Sequence, residues 1–222
     1  NYAVEYLEAD YIIIANPDIH VTSRCIERVK QALDNTEGAV MASARVTDSQ
    51  GKDLFSYWTL LPLWKDLLDT GLITRRLFKD MLNTPPYRLP NAGDEGSRLV
   101  DAVPGSFFML KPGLLTPQDI EGLFDSRIFL YYEEKVLGRK FQEMGLKTVL
   151  VTDESYVHAH SATIDKSLKR MVDKQRLLHQ SKLYYYREYL HAGPALMAAA
   201  GVALDIILAE VWFLTVVCRM RW

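Results

Sequence analysis

Tyr11-Ile12-Ile13-Ile14-Ala15-Asn16-Pro17-Asp18 is the stretch on which the fold turns. Its unbroken apolar run reads as a strand buried on both faces, as strands of parallel sheets are. Pro17 stops that strand, because it brings no amide hydrogen to the next ladder bond. Asp18 then stands just past the C-terminal edge, where open α/β sheets bind ligands. Upstream, Asn1 to Asp10 sets Val4 and Leu7 on one helical face. Downstream, Thr22 or Ser23 can cap a helix through about Asn35, with Ile26, Val29 and Leu33 turned inward. Gly38 to Val46 reads as the next strand. Helices alternating with strands in this way predict an α/β domain.

The chemistry is expected from a second run, Gly122-Leu-Phe-Asp-Ser-Arg-Ile-Phe-Leu-Tyr-Tyr-Glu-Glu-Lys135. An apolar lead-in ends at paired carboxylates, Glu133 and Glu134, which suggests acids delivered to the edge of a cleft. A carboxylate held there, away from bulk water, has a raised pKa and can take a proton near neutral pH. The competing reading is the acidic first turn of a solvated helix, since acids favour helix N-termini. A helix runs on to Met144 with Gly145 as its C-terminal glycine. A final strand, Thr148 to Val151, leads to Tyr156-Val-His-Ala-His-Ser161, where His158 and His160 face one side if extended and suit a metal or phosphate contact. Val100 to Leu110 reads as a strand interrupted at Pro104-Gly105-Ser106, and a glycine there marks a bulge or a close backbone approach to a ligand.

With 222 residues, 49% of them hydrophobic and 24% charged, the chain is long enough for a globular core. A net charge of -2 gives no reason to expect nucleic acid as a partner. The two cysteines, Cys25 and Cys218, have no metal-ligand spacing. The pattern loosens from Thr47 to Arg98, where Trp58, Leu60, Leu63, Trp64, Leu67, Leu68, Leu72 and Phe78 predict an apolar, helical insert. Ile164, Leu168, Met171, Val172, Gln175 and Leu178 space out a long amphipathic helix. Pro194 to Cys218 is almost wholly apolar and long enough to span a bilayer, but Asp205 and Glu210 penalise a lone span. A helix in the membrane interface or against a partner is the expectation, with Tyr184 to Tyr189, Arg219 and Arg221 as interfacial flanks.

Taken in order, the Asn-Pro-Asp strand end, Asp101 with Gly105-Ser106, the Gly122 to Glu134 run, the helix closing on Gly145 and the His-Ala-His-Ser stretch resemble family 2 glycosyltransferases of GT-A fold. The likeness is to rhamnosyltransferase-like members that build bacterial surface polysaccharides. Asn1 to Asp18 looks like the family's stretch in which an asparagine opens a helix ahead of a metal-binding Asn-Pro-Asp or Asp-x-Asp. Gly122 to Glu134 is similar to Gly-Gly-Phe-Asp-x-x-Phe-Phe-x-Tyr-x-Glu-Asp. There are departures. Glu134 replaces the usual Asp, Val136 stands where a second acid is frequent, and Lys140, beside Arg139, stands where an arginine is frequent. The base assignment can therefore slip to Glu133.

The resemblance implies a Rossmann-like GT-A domain over 1–161, with a mixed, mostly parallel sheet flanked by helices and a variable insert at about 47–98. An amphipathic helix over 162–192 and an apolar membrane-proximal or interface helix over 193–222 follow. Because the chain begins at Asn1 rather than Met, it is expected to be a fragment, with the family's nucleotide-binding strands preceding it. The implied reaction moves a sugar, rhamnose among the candidates, from a nucleotide-diphosphate sugar to a glycan or lipid-linked acceptor with inversion. Glu134, or Glu133, would be the base. Asp18, with His160, would hold Mg²⁺ or Mn²⁺, and Asn16, Asp101, Gly105, Ser106, Lys140 and His158 would contact substrates. The implied place is the cytoplasm, peripheral at the inner face of the cell membrane, with a homo-oligomer as a further option for the tail. Two rivals stand beside this: another nucleotide-sugar enzyme such as a nucleotidyltransferase, and a non-catalytic interaction module.

Overall fold

A computed structural model describes residues 9–82, 96–128, 130–158 and 171–219. The chain divides into two compact units. The first comprises 1–60, 85–125 and 133–160, and the second 61–84, 126–132 and 161–222.

The first unit is an α/β layer structure around a mixed, open sheet. Its strands are β1 (Ile12–Ala15), β2 (Ile19–His20), β3 (Ala39–Thr47), β4 (Ser97–Val100), β5 (Phe107–Leu110) and β6 (Lys147–His158). They lie in the order β1-β5-β3-β6-β2, and β4 also pairs with β6. Helix α1 (Ser23–Asn35) is capped by Thr22, whose hydroxyl accepts the Cys25 amide at 3.1 Å. Cys25, Val29, Ala32 and Leu33 of α1 cover one face of the sheet, packing with Ala42, Ala44, Phe107, Val149 and Val151. Burial in this layer pushes the Cys25 thiol up to about 12, which keeps it an unreactive core side chain. A later helix, Glu133–Glu143, covers the opposite face, where Leu137 and Phe141 meet Met41, Phe108, Leu110 and Leu150.

Three expectations are corrected. The sheet is mixed but not mostly parallel. Among the described strands only β3 and β6 run parallel, and the other pairings are antiparallel. Apolar patterning reports burial and carries no sign for strand direction, so it could not distinguish the two. Nor is β1 covered on both faces: Ile12 is buried, but Ile13 is 43% exposed. Finally, Val100 to Leu110 is not one interrupted strand. β4 pairs with β6, whereas β5 lies between β1 and β3. Pro104 lacks the amide that would continue a ladder, so the chain leaves one side of the sheet and restarts on another.

The second unit is helical. It contains α2 (Leu63–Thr70), α3 (Leu72–Leu77) and α4 (Lys79–Leu82) from the insert. Numbering Pro117–Glu121 of the first unit as α5 and Glu133–Glu143 as α6, it also contains α7 (Met171–Glu188) and α8 (Pro194–Trp212). Thus residues 61–84 of the insert group with the tail, whereas 47–60 and 85–98 belong to the first unit, where Trp58 forms a β-bridge with Ala102 rather than part of a helix. At its centre Asp66, 1% exposed, receives three donors on one oxygen. Lys182 Nζ lies at 2.6 Å from Asp66 Oδ2, the Tyr132 hydroxyl at 2.5 Å and the Tyr186 hydroxyl at 2.6 Å. Burial raises the pKa of both tyrosines and the nearby carboxylate adds to it, so both phenols stay protonated donors. Beside them Gln175 Nε2 and His179 Nε2 are 3.0 Å apart, and burial lowers His179 to about 4. Tyr185 and Tyr186 are therefore core residues, not the interfacial belt that the sequence suggested.

Candidate functional site

Sheet topology gathers the predicted residues of the first unit at one end. β1 and β3 are each antiparallel to β5, and β3 is parallel to β6. The C-terminal ends of β1, β3 and β6 and the start of β5 therefore point the same way. Asn16 follows β1 and donates its amide to the Ser106 carbonyl at 2.8 Å, ahead of β5. Ser106 is buried, and its hydroxyl lies 2.7 Å from the Tyr156 hydroxyl on β6.

The position of His158 depends on a bulge. After a first register shift between Ala39 and Met41, β6 pairs with β3 in step from Thr148 to Val151, and then Arg45 meets Ser155, so Thr152, Asp153 and Glu154 are looped out. Salt bridges from Arg24 to Glu154 at 2.7 Å and from Arg28 to Asp153 at 2.9 Å hold the bulge. Past it, Ile19 of β2 pairs with His158. Asp18 is one residue earlier, and its Oδ1 comes 3.4 Å from His158 Nε2. His160, expected as a metal ligand, falls outside the described residues.

Glu134 sits in the first turn of α6, half-buried. Its Oε1 accepts the Gly105 amide at 3.2 Å. A Cβ on Gly105 would stand 3.2 Å from that same oxygen, so the glycine makes room for a carboxylate. Burial raises the Glu134 pKa; the backbone donors, its own amide and that of Gly105, and nearby Lys135 only partly offset this. The acid pair is thus both a helix first turn and a desolvated carboxylate, and the two readings of the sequence are compatible. In the second unit, Tyr131 (φ 66) and Tyr132 (φ 75) occupy the left-handed region, which is strained for bulky residues.

Two predicted contact residues serve the scaffold. Asp101 Oδ2 accepts the Leu60 amide at 2.8 Å. Lys140 Nζ donates to the carbonyls of Gly122 at 2.5 Å and Leu123 at 3.2 Å, tying α6 to the loop behind it. Glu133 occupies the same first turn as Glu134. Sequence reasoning passed over Tyr156 and Gly138. Tyr156 precedes His158 by one strand period, which was the available signal. Gly138 gave none: a Cβ there would lie 2.2 Å from the Asp101 carbonyl oxygen, so the glycine lets α6 pack onto the backbone.

For a metal, Asp18 and His158 offer one carboxylate and one imidazole. No cluster of three or more ligating side chains occurs among the described residues. Mg²⁺ commonly binds through one or two carboxylates completed by water and substrate phosphates, and the Asp18 pair suits that mode better than a closed protein cage. Searches against models of known protein families and against curated proteins found no match. Fold and site define an α/β protein with a mixed open sheet and polar residues collected at one sheet end.

Proposed function

We propose that this chain carries the base and the metal-side acid of an inverting glycosyltransferase that uses a nucleotide-diphosphate sugar. The observation that carries the reading is Glu134: a desolvated carboxylate in a helix first turn, clasped by the Gly105 amide. Gly105 and Ser106 open the way to β5 at the sheet end where Asp18 also lies.

In this reading Glu134 accepts the proton of the acceptor hydroxyl as that oxygen attacks the anomeric carbon. The bond to the nucleotide diphosphate breaks, and the diphosphate leaves with the electron pair. Asp18 would hold a divalent cation, Mg²⁺ or Mn²⁺, which would supply positive charge against the charge that builds on the leaving diphosphate. Asp18 and His158 hold the diphosphate end, while Asn16 and Ser106 fix the backbone between that end and the base. The acceptor is a glycan or a lipid-linked sugar. It is presented at the inner face of the cell membrane, where the apolar helical stretch Pro194–Val217 keeps the protein.

The test is an assay of the intact protein with nucleotide-diphosphate sugars and lipid-linked acceptors, following the anomeric configuration of the product by NMR. Transfer with inversion that Glu134→Gln abolishes supports the reading. Transfer that survives this substitution refutes the assignment of the base.

A further inference from the structure

The second unit exposes apolar side chains on two elements besides α2. Ile73, Leu77, Phe78 and Met81, along α3 and α4, are 51, 71, 41 and 41% exposed. They recur at i, i+4, i+5 and i+8, which on a helical path gathers them on one side. Arg75, Arg76, Lys79 and Asp80 fall on the remainder. Arg75 pairs with Asp69, with 3.2 Å between Nε and Oδ1. On α2, Trp64 is also exposed, and Lys65 Nζ lies 5.4 Å from the centre of its ring.

The second element is α8. Ala200, Leu204, Ile207 and Val211 form its buried stripe, while Val202, Ile206, Trp212 and Phe213 are exposed. Asp205 flanks the exposed stripe and Arg219 follows it. Glu210, which in a lone membrane span would need a partner, has one: its Oε1 accepts the Ile73 amide at 2.7 Å, the first turn of α3. Glu210 therefore fastens α3 to α8.

We propose that α3–α4 and the exposed side of α8 form one membrane-docking surface that seats in the headgroup layer of an anionic bilayer. This deepens the membrane reading given above. It differs in assigning the contact to the insert as well as the tail, and in making the tail a helix that lies in the interface. The buried stripe of α8 is occupied within its own unit, so lipid does not surround it. Short amphipathic helices with Leu, Phe and Trp on one side and Arg or Lys on the other bind in this manner. The basic residues Lys65, Arg76, Lys79 and Arg219 outnumber Asp80 and Asp205, which matches anionic headgroups.

Vesicle flotation of the intact protein tests this, using phosphatidylcholine alone and phosphatidylcholine mixed with phosphatidylglycerol. The protein floats more strongly with the mixed vesicles. Arg76→Glu with Lys79→Glu lowers that binding by about fivefold for each basic charge removed, with a further loss from the added repulsion. Leu77→Glu with Phe78→Glu lowers it by roughly tenfold or more in both vesicle types. Thermal melts of these exposed-site variants check that they remain folded. Undiminished flotation of the Leu77→Glu/Phe78→Glu variant overturns the proposal while leaving a tail-only anchor standing. Loss of all flotation in the unaltered protein overturns both, and leaves the Glu134 assay untouched. A lipid-indifferent dimer that the same pair dissociates assigns the surface to a second copy of the chain instead.

Discussion

The Gly105 amide and the Glu134 carboxylate are 3.2 Å apart, and a Cβ on that glycine would stand as close to the same oxygen, tighter than an ordinary contact. The close backbone approach that the Pro104-Gly105-Ser106 interruption suggested is thus an approach to the protein's own carboxylate. It holds Oε1 of Glu134 in place.

Glu134→Gln keeps the shape and removes the basicity. Turnover falls by roughly 10²–10⁴-fold, the usual worth of a positioned base, with donor affinity little changed. Glu133→Gln retains most activity. The reverse pattern in steady-state kinetics moves the base by one residue.

The same substitution has a signature in stability. A carboxyl whose folded pKa is raised binds its proton more readily folded than unfolded. Its stabilising contribution is complete below the ordinary glutamate range and is lost as pH rises through the raised value. Glu134→Gln therefore melts higher than the parent at neutral pH, and the gap closes as pH falls toward the ordinary carboxylate range. Calorimetric melts across that window check it, and a gap that widens on acidification contradicts it.

The two glycines around α6 separate function from stability. Gly105→Ala forces Glu134 to shift and lowers turnover more than it lowers the melting temperature. Gly138→Ala places a methyl 2.2 Å from a backbone oxygen and costs about 1–3 kcal/mol of stability or more by overpacking. Urea unfolding alongside kinetics distinguishes the two effects.

Asp18→Ala abolishes metal-dependent binding of a nucleotide-diphosphate sugar, and His158→Gln weakens it to a lesser degree. Isothermal titration with Mg²⁺ or Mn²⁺ present reads both. Donor affinity unchanged in Asp18→Ala removes the metal from this end of the sheet.

Asp66→Leu leaves the Lys182 ammonium buried without its counter-charge and costs about 3–5 kcal/mol. Asp66→Leu combined with Lys182→Met recovers much of that loss, since a well-packed apolar pair can replace a buried ion pair. Denaturant midpoints of the single and double variants measure the coupling.

How much of this was legible in the sequence follows from which physical signals reach the pattern. The Thr22 cap, α1 with Val29 and Leu33 inward, β3 and the Gly145 terminus (φ 71) were readable, because capping and helical period are local. Strand direction was not, since β1 and β5 look alike whichever way they pair. The meeting of Asp18 with His158 rests on a register set by the bulge at Thr152 to Glu154, a long-range fact. α7 misled for another reason. Its inward stripe, Gln175, His179, Lys182 and Tyr186, is largely polar; Gln175 keeps the inward place its spacing predicts, but amphipathic patterning turns a lysine such as Lys182 to solvent. Asp66, far away in the chain, receives Lys182 and Tyr186, while Gln175 and His179 pair with each other.

The looped-out residues of β6 also act as a spacer between two jobs performed by one strand. Up to Val151 the strand belongs to the core, where α1 and α6 fix its alternation; past Ser155 Tyr156 is still core, and His158 reaches the sheet end. Because the bulge holds three extra residues, removing one and pairing the rest continuously would keep His158 on its face but carry it two positions along the strand, away from its place opposite Ile19, while leaving Val149 to Val151 in place. Length changes between Val151 and Ser155 thus form a natural route by which descendants of this sequence could gain or silence the Asp18 partnership in a single step, at the cost of moving the buried Tyr156 as well.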